Sequence, residues 1–191
     1  MTACVFASSS SRIDKRYGDA AAELGSLFAR SKINVIYGGG GIGLMGILAD
    51  AVLENDGSIT GVIPSFMNDE GWSHPLVQDM IITADMGERK KNMLARADAV
   101  VALPGGIGTL EEVTEAITLK QLGLFKGPVV ILNTLNYYRH LIEFLEHMVQ
   151  GHFLRTEHKG MWDIAATPPD VIVALSNNST WVDDPRKIAK I

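Results

Sequence analysis

Two short stretches of this chain, residues 100–103 (Val-Val-Ala-Leu) and 129–132 (Val-Val-Ile-Leu), contain no polar side chain at all. A strand that is apolar at every position has no face to offer water. It must be covered on both sides, as strands are in a parallel sheet held between two helix layers. The rest of the chain conforms, because short β-branched runs alternate with longer helical patterns. Strands are expected at 3–8, 33–37, 58–63, 80–83, 99–103 and 128–132. Helices are expected at 14–30, 43–54, 88–96, 110–122, 137–150 and 168–176, the last with Pro169 and Asp170 in its first turn. Residues 65–75 carry no periodicity and are too many for a simple turn, which makes them a candidate lid or partner-contact loop. The predicted class is α/β: a Rossmann-like, doubly wound, mainly parallel sheet with helices on both faces. No repeat or linker composition divides the chain, so one domain is expected over residues 1–191.

In such folds ligands bind beyond the carboxyl ends of the strands, so the informative residues should follow Ser8, Tyr37, Thr83 and Leu103. After Tyr37 comes a run of four glycines that opens a helix, and Gly41, Gly43 and Gly46 have the spacing of a dinucleotide fingerprint. Glycine there permits positive φ and close backbone approach, so amides at the helix start can surround an anion. A tight turn with no ligand is the plainer alternative, although four consecutive glycines are costly in backbone entropy for a turn alone. A dinucleotide cofactor would also require an acidic residue about 20 positions on, to hold ribose hydroxyls. Residues 61–65, Gly-Val-Ile-Pro-Ser, supply none, which counts against such a cofactor.

The second glycine loop is Leu103-Pro-Gly-Gly-Ile-Gly-Thr109, again directly after a buried strand and before a helix. Thr109-Leu-Glu-Glu112 has the pattern of a capping box, in which Thr109 would be the N-cap and Glu112 would merely start the helix. Two glycine loops at one sheet edge, however, place two helix starts around one crevice. Between them lies Asp85-Met-Gly-Glu-Arg-Lys-Lys-Asn-Met93. Alone, Arg89, Lys90 and Lys91 read as a solvated face. At the carboxyl edge of the sheet, the same cations would meet a phosphate or an anionic transition state.

Composition narrows the partners. The formal net charge is −5 with acids and bases interspersed, so there is no basic field to hold a polynucleotide. The single cysteine, Cys4, lies in an apolar run and is read as a packing residue in a reducing compartment. No basic n-region precedes the first apolar stretch, which residues 8–12 interrupt, and no apolar run nears membrane-spanning length. A soluble, cytoplasmic protein without membrane partners is the expectation. The five histidines (74, 140, 147, 152 and 158) are scattered, and no His, Cys and carboxylate cluster has metal-ligand spacing.

Met86-Gly-Glu-Arg89-Lys90 fits an M-x-x-R-K motif, and Pro104 to Glu112 fits P-G-G-x-G-T-x-x-E without departure. In these motifs, their order and their separation, the chain resembles the Lonely guy (LOG) family of cytokinin riboside 5′-monophosphate phosphoribohydrolases. The glycine loop at 38–46 is also similar, and the resemblance covers about residues 2–155. Members have often been labelled lysine decarboxylases, but no lysine here sits in a recognisable pyridoxal-phosphate setting.

The resemblance implies a homodimer, a nucleoside 5′-monophosphate substrate and no metal or cofactor. Its reaction would be hydrolysis of an adenine or N6-modified adenine nucleotide to free base and ribose 5-phosphate. Carried over by position, Arg89 and Glu112 are the catalytic pair. Glu112 would stabilise oxocarbenium-like charge at C1′, hold the ribose hydroxyls or orient water. Arg89 would anchor the nucleotide and offset developing charge. Gly105, Gly106, Gly108 and Thr109 would bind the 5′-phosphate, while Gly39, Gly40, Gly41 and Ser8 would form the opposite wall. Met86, Lys90 and Glu115 complete the expected substrate contacts. Glu111 and Glu115 are alternatives to Glu112, and helical spacing sets Glu112 beside Glu115 with Glu111 pointing elsewhere. Two other functions fit the scaffold: a general AMP nucleosidase, or a non-catalytic nucleotide or molybdenum-cofactor carrier.

Overall fold

Along each central strand, successive side chains enter two different cores. Ala3 and Val5 of β1 (Thr2–Phe6) and Ala99 and Val101 of β5 (Ala99–Ala102) join one core; Cys4, Phe6, Val100 and Ala102 join the other. This is why no charged side chain stands on either strand: both faces are dry. The first core is closed by Leu24 and Phe28 of α1 (Lys15–Arg30), Leu48 and Val52 of α2 (Gly43–Glu54) and Val171 of α7 (Pro168–Ser176). The second is closed by Met93 of α4 (Met86–Ala95), Val113 and Ala116 of α5 (Ile107–Gln121) and Leu145 of α6 (Arg139–Gln150).

The remaining strands are β2 (Asn34–Tyr37), β3 (Ile59–Pro64), β4 (Asp79–Thr83), β6 (Val129–Leu132) and β7 (Asp163–Ala165), with the short α3 (Ser65–Asp69) after β3. In this computed structural model, which describes residues 1–177 and Lys187, they form one seven-stranded sheet. The order is β4-β3-β2-β1-β5-β6-β7, and every pairing is parallel. The Rossmann-like doubly wound architecture expected from the sequence is therefore present. The expected span of 1–191 ends in residues 178–186 and 188–191, outside the described residues. The order reverses between β1 and β5, whose following segments diverge to opposite faces and leave a crevice at their carboxyl ends.

Several boundaries differ from expectation. Helix α4 begins at Met86, capped by Asp85, whose carboxylate accepts from the Glu88 amide at 2.8 Å. The stretch 65–75 holds α3, whose N-cap is Pro64, the last residue of β3. A single helix from residue 137 is replaced by a 3₁₀ turn at Thr134–Asn136, with Leu135 and Asn136 at left-handed φ of 54° and 59°, followed by α6. The sequence reading missed β7 and the 3₁₀ segment Thr156–Met161 before it. Among the described residues no helix is long and apolar enough to cross a membrane.

Candidate active site

At the switch point the chain segments after β1 and β5 leave the sheet side by side. The Leu103 amide donates to the Phe6 carbonyl at 2.9 Å, and the Ser8 amide to the Pro104 carbonyl at 3.3 Å. The glycine loop after β2 closes against them. Gly43 has φ of +69°, and a Cβ on it would fall 2.5–2.7 Å from the backbone of Ser8, Ser9 and Ser10, so no other residue fits there. The three loops surround a cleft of about 640 Å³.

Arg89, one turn into α4, points under this cleft and is 7% exposed. Its guanidinium ties three elements together: Nε donates to the Val62 carbonyl of β3 at 3.1 Å, Nη2 to the Gly38 carbonyl after β2 at 3.4 Å, and Nη1 to Glu112 Oε1 at 2.7 Å. Glycine at position 38 leaves room for the guanidinium, since a Cβ there would lie 2.1 Å from Arg89 Nη2 and displace it. Glu112, the sixth residue of α5, is also 7% exposed. Burial pushes its pKa above the ordinary glutamate value; the Arg89 charge and hydrogen bond pull it back, Glu111 adds to the rise, and Lys90 opposes it. A solvated cationic face, the plainer reading of 89–91, does not describe Arg89.

The capping box expected at Thr109 and Glu112 is absent. Helix α5 begins three residues earlier than expected, at Ile107, with Gly106 as an N-cap that makes no side-chain cap. Thr109 is thereby the third helical residue, and Glu112 lies a full turn further on, where it faces Arg89 instead of the helix start. Gly106 and Gly108 have no left-handed φ, and a Cβ on either would meet nothing within 4 Å. Neither backbone conformation nor packing demands glycine at either position, yet glycine inside a helix, as at Gly108, costs about 0.5–1 kcal/mol relative to alanine. The missing side chains leave open space against the first amides of α5, where orphan donors and the helix dipole favour an anion.

Of the residues expected from sequence, Ser8, Gly40, Gly41, Met86, Arg89, Gly106, Gly108, Thr109 and Glu112 line the cleft. The lining does not include Gly39, Gly105, Lys90 or Glu115. Gly39 sits against Ile63 and Met80, and Gly105 against the Thr109 side chain. Lys90 pairs with Glu111 and, at 2.9 Å, with Glu115, each of which raises its pKa by hydrogen bonding. The expected grouping of Glu112 with Glu115 is thus corrected: Glu111 and Glu115, four residues apart, share Lys90, while Glu112 turns to the cleft.

An apolar wall of Met45, Ile63, Met67 and Trp72 was not anticipated. Met67 and Trp72 come from the 65–75 stretch, which is pinned to the glycine loop. The Gly41 amide donates to the Trp72 carbonyl at 3.0 Å, the His74 amide to the Gly39 carbonyl at 2.9 Å, and Gly40 bridges Ser73. Buried His74 secures this rim: Nδ1 accepts from the Leu76 amide at 3.2 Å, and Nε2 lies 3.1 Å from Asp50 Oδ1. Only the scattered apolar residues Phe66, Met67 and Trp72 in an otherwise polar, irregular segment could have signalled the wall. Among the described residues no group of three His, Cys, Asp or Glu is placed to hold a metal ion.

Fold and cleft together define a Rossmann-like protein with a buried Arg–Glu pair beneath an open, glycine-bearing helix start. Residues 45–175 match the family model described as possible lysine decarboxylase. The chain is 41% identical over 172 residues to a probable cytokinin riboside 5′-monophosphate phosphoribohydrolase of Oryza sativa subsp. japonica, covering 90% of this chain and 76% of the rice protein. It is 38% identical over 172 residues to the Arabidopsis thaliana cytokinin riboside 5′-monophosphate phosphoribohydrolase LOG5, covering 90% and 75%. The chain belongs to the LOG family. Among solved structures, the molybdenum cofactor carrier protein of Chlamydomonas reinhardtii superposes with a TM-score of 0.72 at 22% identity, over 93% of this chain and 96% of that one. At that identity the likeness is one of fold.

Proposed function

We propose that this protein hydrolyses the N-glycosidic bond of an adenosine 5′-monophosphate, N6-modified or plain, releasing free base and ribose 5-phosphate. The observation that carries the reading is the buried Arg89–Glu112 pair at the floor of a cleft whose rim is the open, side-chain-free start of α5. The 5′-phosphate is held by the amides at Gly106, Gly108 and Thr109, with the Thr109 hydroxyl. Ribose lies over Glu112, and the base against Met45, Ile63, Met67 and Trp72. In the reaction the bond between C1′ and the purine nitrogen breaks, the purine leaves with the electron pair and ends protonated, and water supplies the hydroxyl at C1′. Positive charge builds on the sugar on the way, and an ionised carboxylate beside it lowers the barrier.

Arg89 has three of its donors committed to protein oxygens. Its role in this reading is to keep Glu112 ionised and aimed, in place of the expected anchoring of the nucleotide. The carrier alternative has no support beyond a shared fold, whereas the relatives at 38–41% identity are named phosphoribohydrolases. A homodimer is part of the reading, supported by apolar side chains left exposed around α5 and α6, among them Ile107 (81%) and Phe144 (55%). A cytoplasmic location rests on the lone buried Cys4.

The test is to incubate the protein with AMP and with N6-isopentenyl-AMP and to separate free base by chromatography. Base is expected from at least one of them. Glu112→Gln should lower its release by about a hundredfold or more while the circular-dichroism spectrum is unchanged. Absence of base from every monophosphate tried would overturn the proposal.

A further inference from the structure

Two adjacent tyrosines reach the phosphate loop from behind. Tyr138, buried at the start of α6, donates its hydroxyl to the Leu103 carbonyl at 2.6 Å, and Tyr137, half-exposed, donates to the Gly105 carbonyl at 2.6 Å. The two acceptors flank Pro104. The proline has no amide proton of its own, so the loop is fastened here through its carbonyls. The tyrosines are themselves held firmly. Asn133 Oδ1 accepts from the Tyr138 amide at 2.7 Å, the rings of Tyr137 and Tyr138 meet edge to face at 4.9 Å, and Tyr17 of α1 meets Tyr137 at 5.7 Å. The turn that delivers them contains Leu135 at a φ of 54°, a conformation costing about 1–3 kcal/mol for such a residue. Backbone strain immediately ahead of two well-made hydroxyl contacts indicates that the contacts hold the turn in place.

We propose that Tyr137 is a positioning residue for phosphate recognition, acting through the Gly105–Gly106 peptide, and that Tyr138 steadies the same loop one peptide earlier, at the Leu103 carbonyl. In a trans peptide the carbonyl and the following N–H point in opposite directions. Drawing the Gly105 carbonyl toward Tyr137 turns the Gly106 N–H to the other side, and Gly106 lines the cleft. Hydrogen bonding at the carbonyl also polarises the amide and strengthens its N–H as a donor. The loop also packs tightly on the helix at this point, since a Cβ on Gly105 would lie 2.1 Å from Thr109 Oγ1.

The inference rests on the proposed binding of a 5′-phosphate at α5, and the experiment separates the two. Wild type, Tyr137→Phe and Tyr138→Phe are compared in KM and kcat for AMP, in calorimetric affinity for ribose 5-phosphate, and in thermal midpoint. Each variant keeps its ring and loses only the hydroxyl. Tyr137→Phe is expected to raise KM and the ribose 5-phosphate Kd in parallel by about five- to tenfold, with kcat changed by less than about twofold and the thermal midpoint unmoved. Tyr138→Phe is expected to weaken ribose 5-phosphate binding similarly and also to lower the midpoint, since its hydroxyl is buried. If wild type binds ribose 5-phosphate and Tyr137→Phe binds it equally well, the positioning role is wrong. A fall of kcat and midpoint together, with KM unchanged, would likewise assign Tyr137 to structure alone. Failure of wild type to bind ribose 5-phosphate would overturn both the inference and the phosphate site beneath it.

Discussion

Arg89 Nη1 lies 2.7 Å from Glu112 Oε1, and both side chains are more than nine-tenths shielded from solvent. A pair this deep stabilises little relative to apolar side chains of the same size, but removing one partner strands a buried charge. Arg89→Ala is therefore expected to destabilise the fold by about 3–5 kcal/mol in urea unfolding, as well as to abolish base release. Arg89→Lys restores charge without the three-way fork and is expected to recover stability only in part. Unchanged urea midpoints would show that the pair does not hold the site.

Acid should switch the reaction off early. In the proposed reaction Glu112 acts ionised, and burial raises its pKa above the ordinary 4.5. The acid limb of kcat/KM is therefore expected to have its midpoint above pH 4.5. Stability runs the other way: the fold binds the Glu112 proton more tightly than the unfolded chain does. Its contribution is full below pH 4.5 and is lost as pH rises through the raised value. A pH–rate profile paired with a pH–stability profile checks both signs, and Glu112→Gln should remove this component from the second.

Gly108 offers a substitution with opposed effects. Alanine there meets no neighbour and favours the helix, so Gly108→Ala is expected to raise the thermal midpoint by up to about 4 °C. The added methyl occupies the space next to the first amides of α5, so KM for AMP should rise by about tenfold, equivalent to about 1.4 kcal/mol. Differential scanning fluorimetry and steady-state kinetics measure the two; a tighter KM would place the phosphate elsewhere.

Trp72 and Met67 form part of the apolar wall assigned to the base. Trp72→Ala is expected to raise KM for N6-isopentenyl-AMP by about tenfold and that for AMP by much less, because the lost ring area serves the apolar substituent. Equal losses for both substrates would remove Trp72 from selectivity.

The strands could be read from the sequence because being dry on both faces leaves its mark at every position, as in residues 129–132. Strand β7 left no such mark: it has three residues at a sheet edge, with Asp163 and Ile164 exposed. The motif residues Arg89 and Glu112 were legible as candidates, but their contact was not. Thr-x-x-Glu fits a capping box on local spacing, and only the earlier start of α5 at Ile107 turns Glu112 inward. Lys90 looked equivalent to Arg89 by charge, yet one residue along a helix rotates it to Glu111 and Glu115. Met67 and Trp72 were hidden because apolar residues without periodicity announce no face, and what makes them a wall is the backbone pairing of Gly40 with Ser73.

That pairing divides the protein's inheritance. The Arg89–Glu112 pair and the helix start at Gly106 belong to the sheet and its crossovers, where a shift in one element disturbs its neighbours. The rim at 65–75 lies between β3 and β4, fastened to the glycine loop by two backbone hydrogen bonds and anchored by His74, which leaves the side chains at Met67 and Trp72 free of that fastening. On the proposed seating of the base against Met67 and Trp72, nucleobase preference can drift in this segment while the glycosidic chemistry stays fixed. Proteins sharing both motifs can consequently diverge in diet without diverging in mechanism.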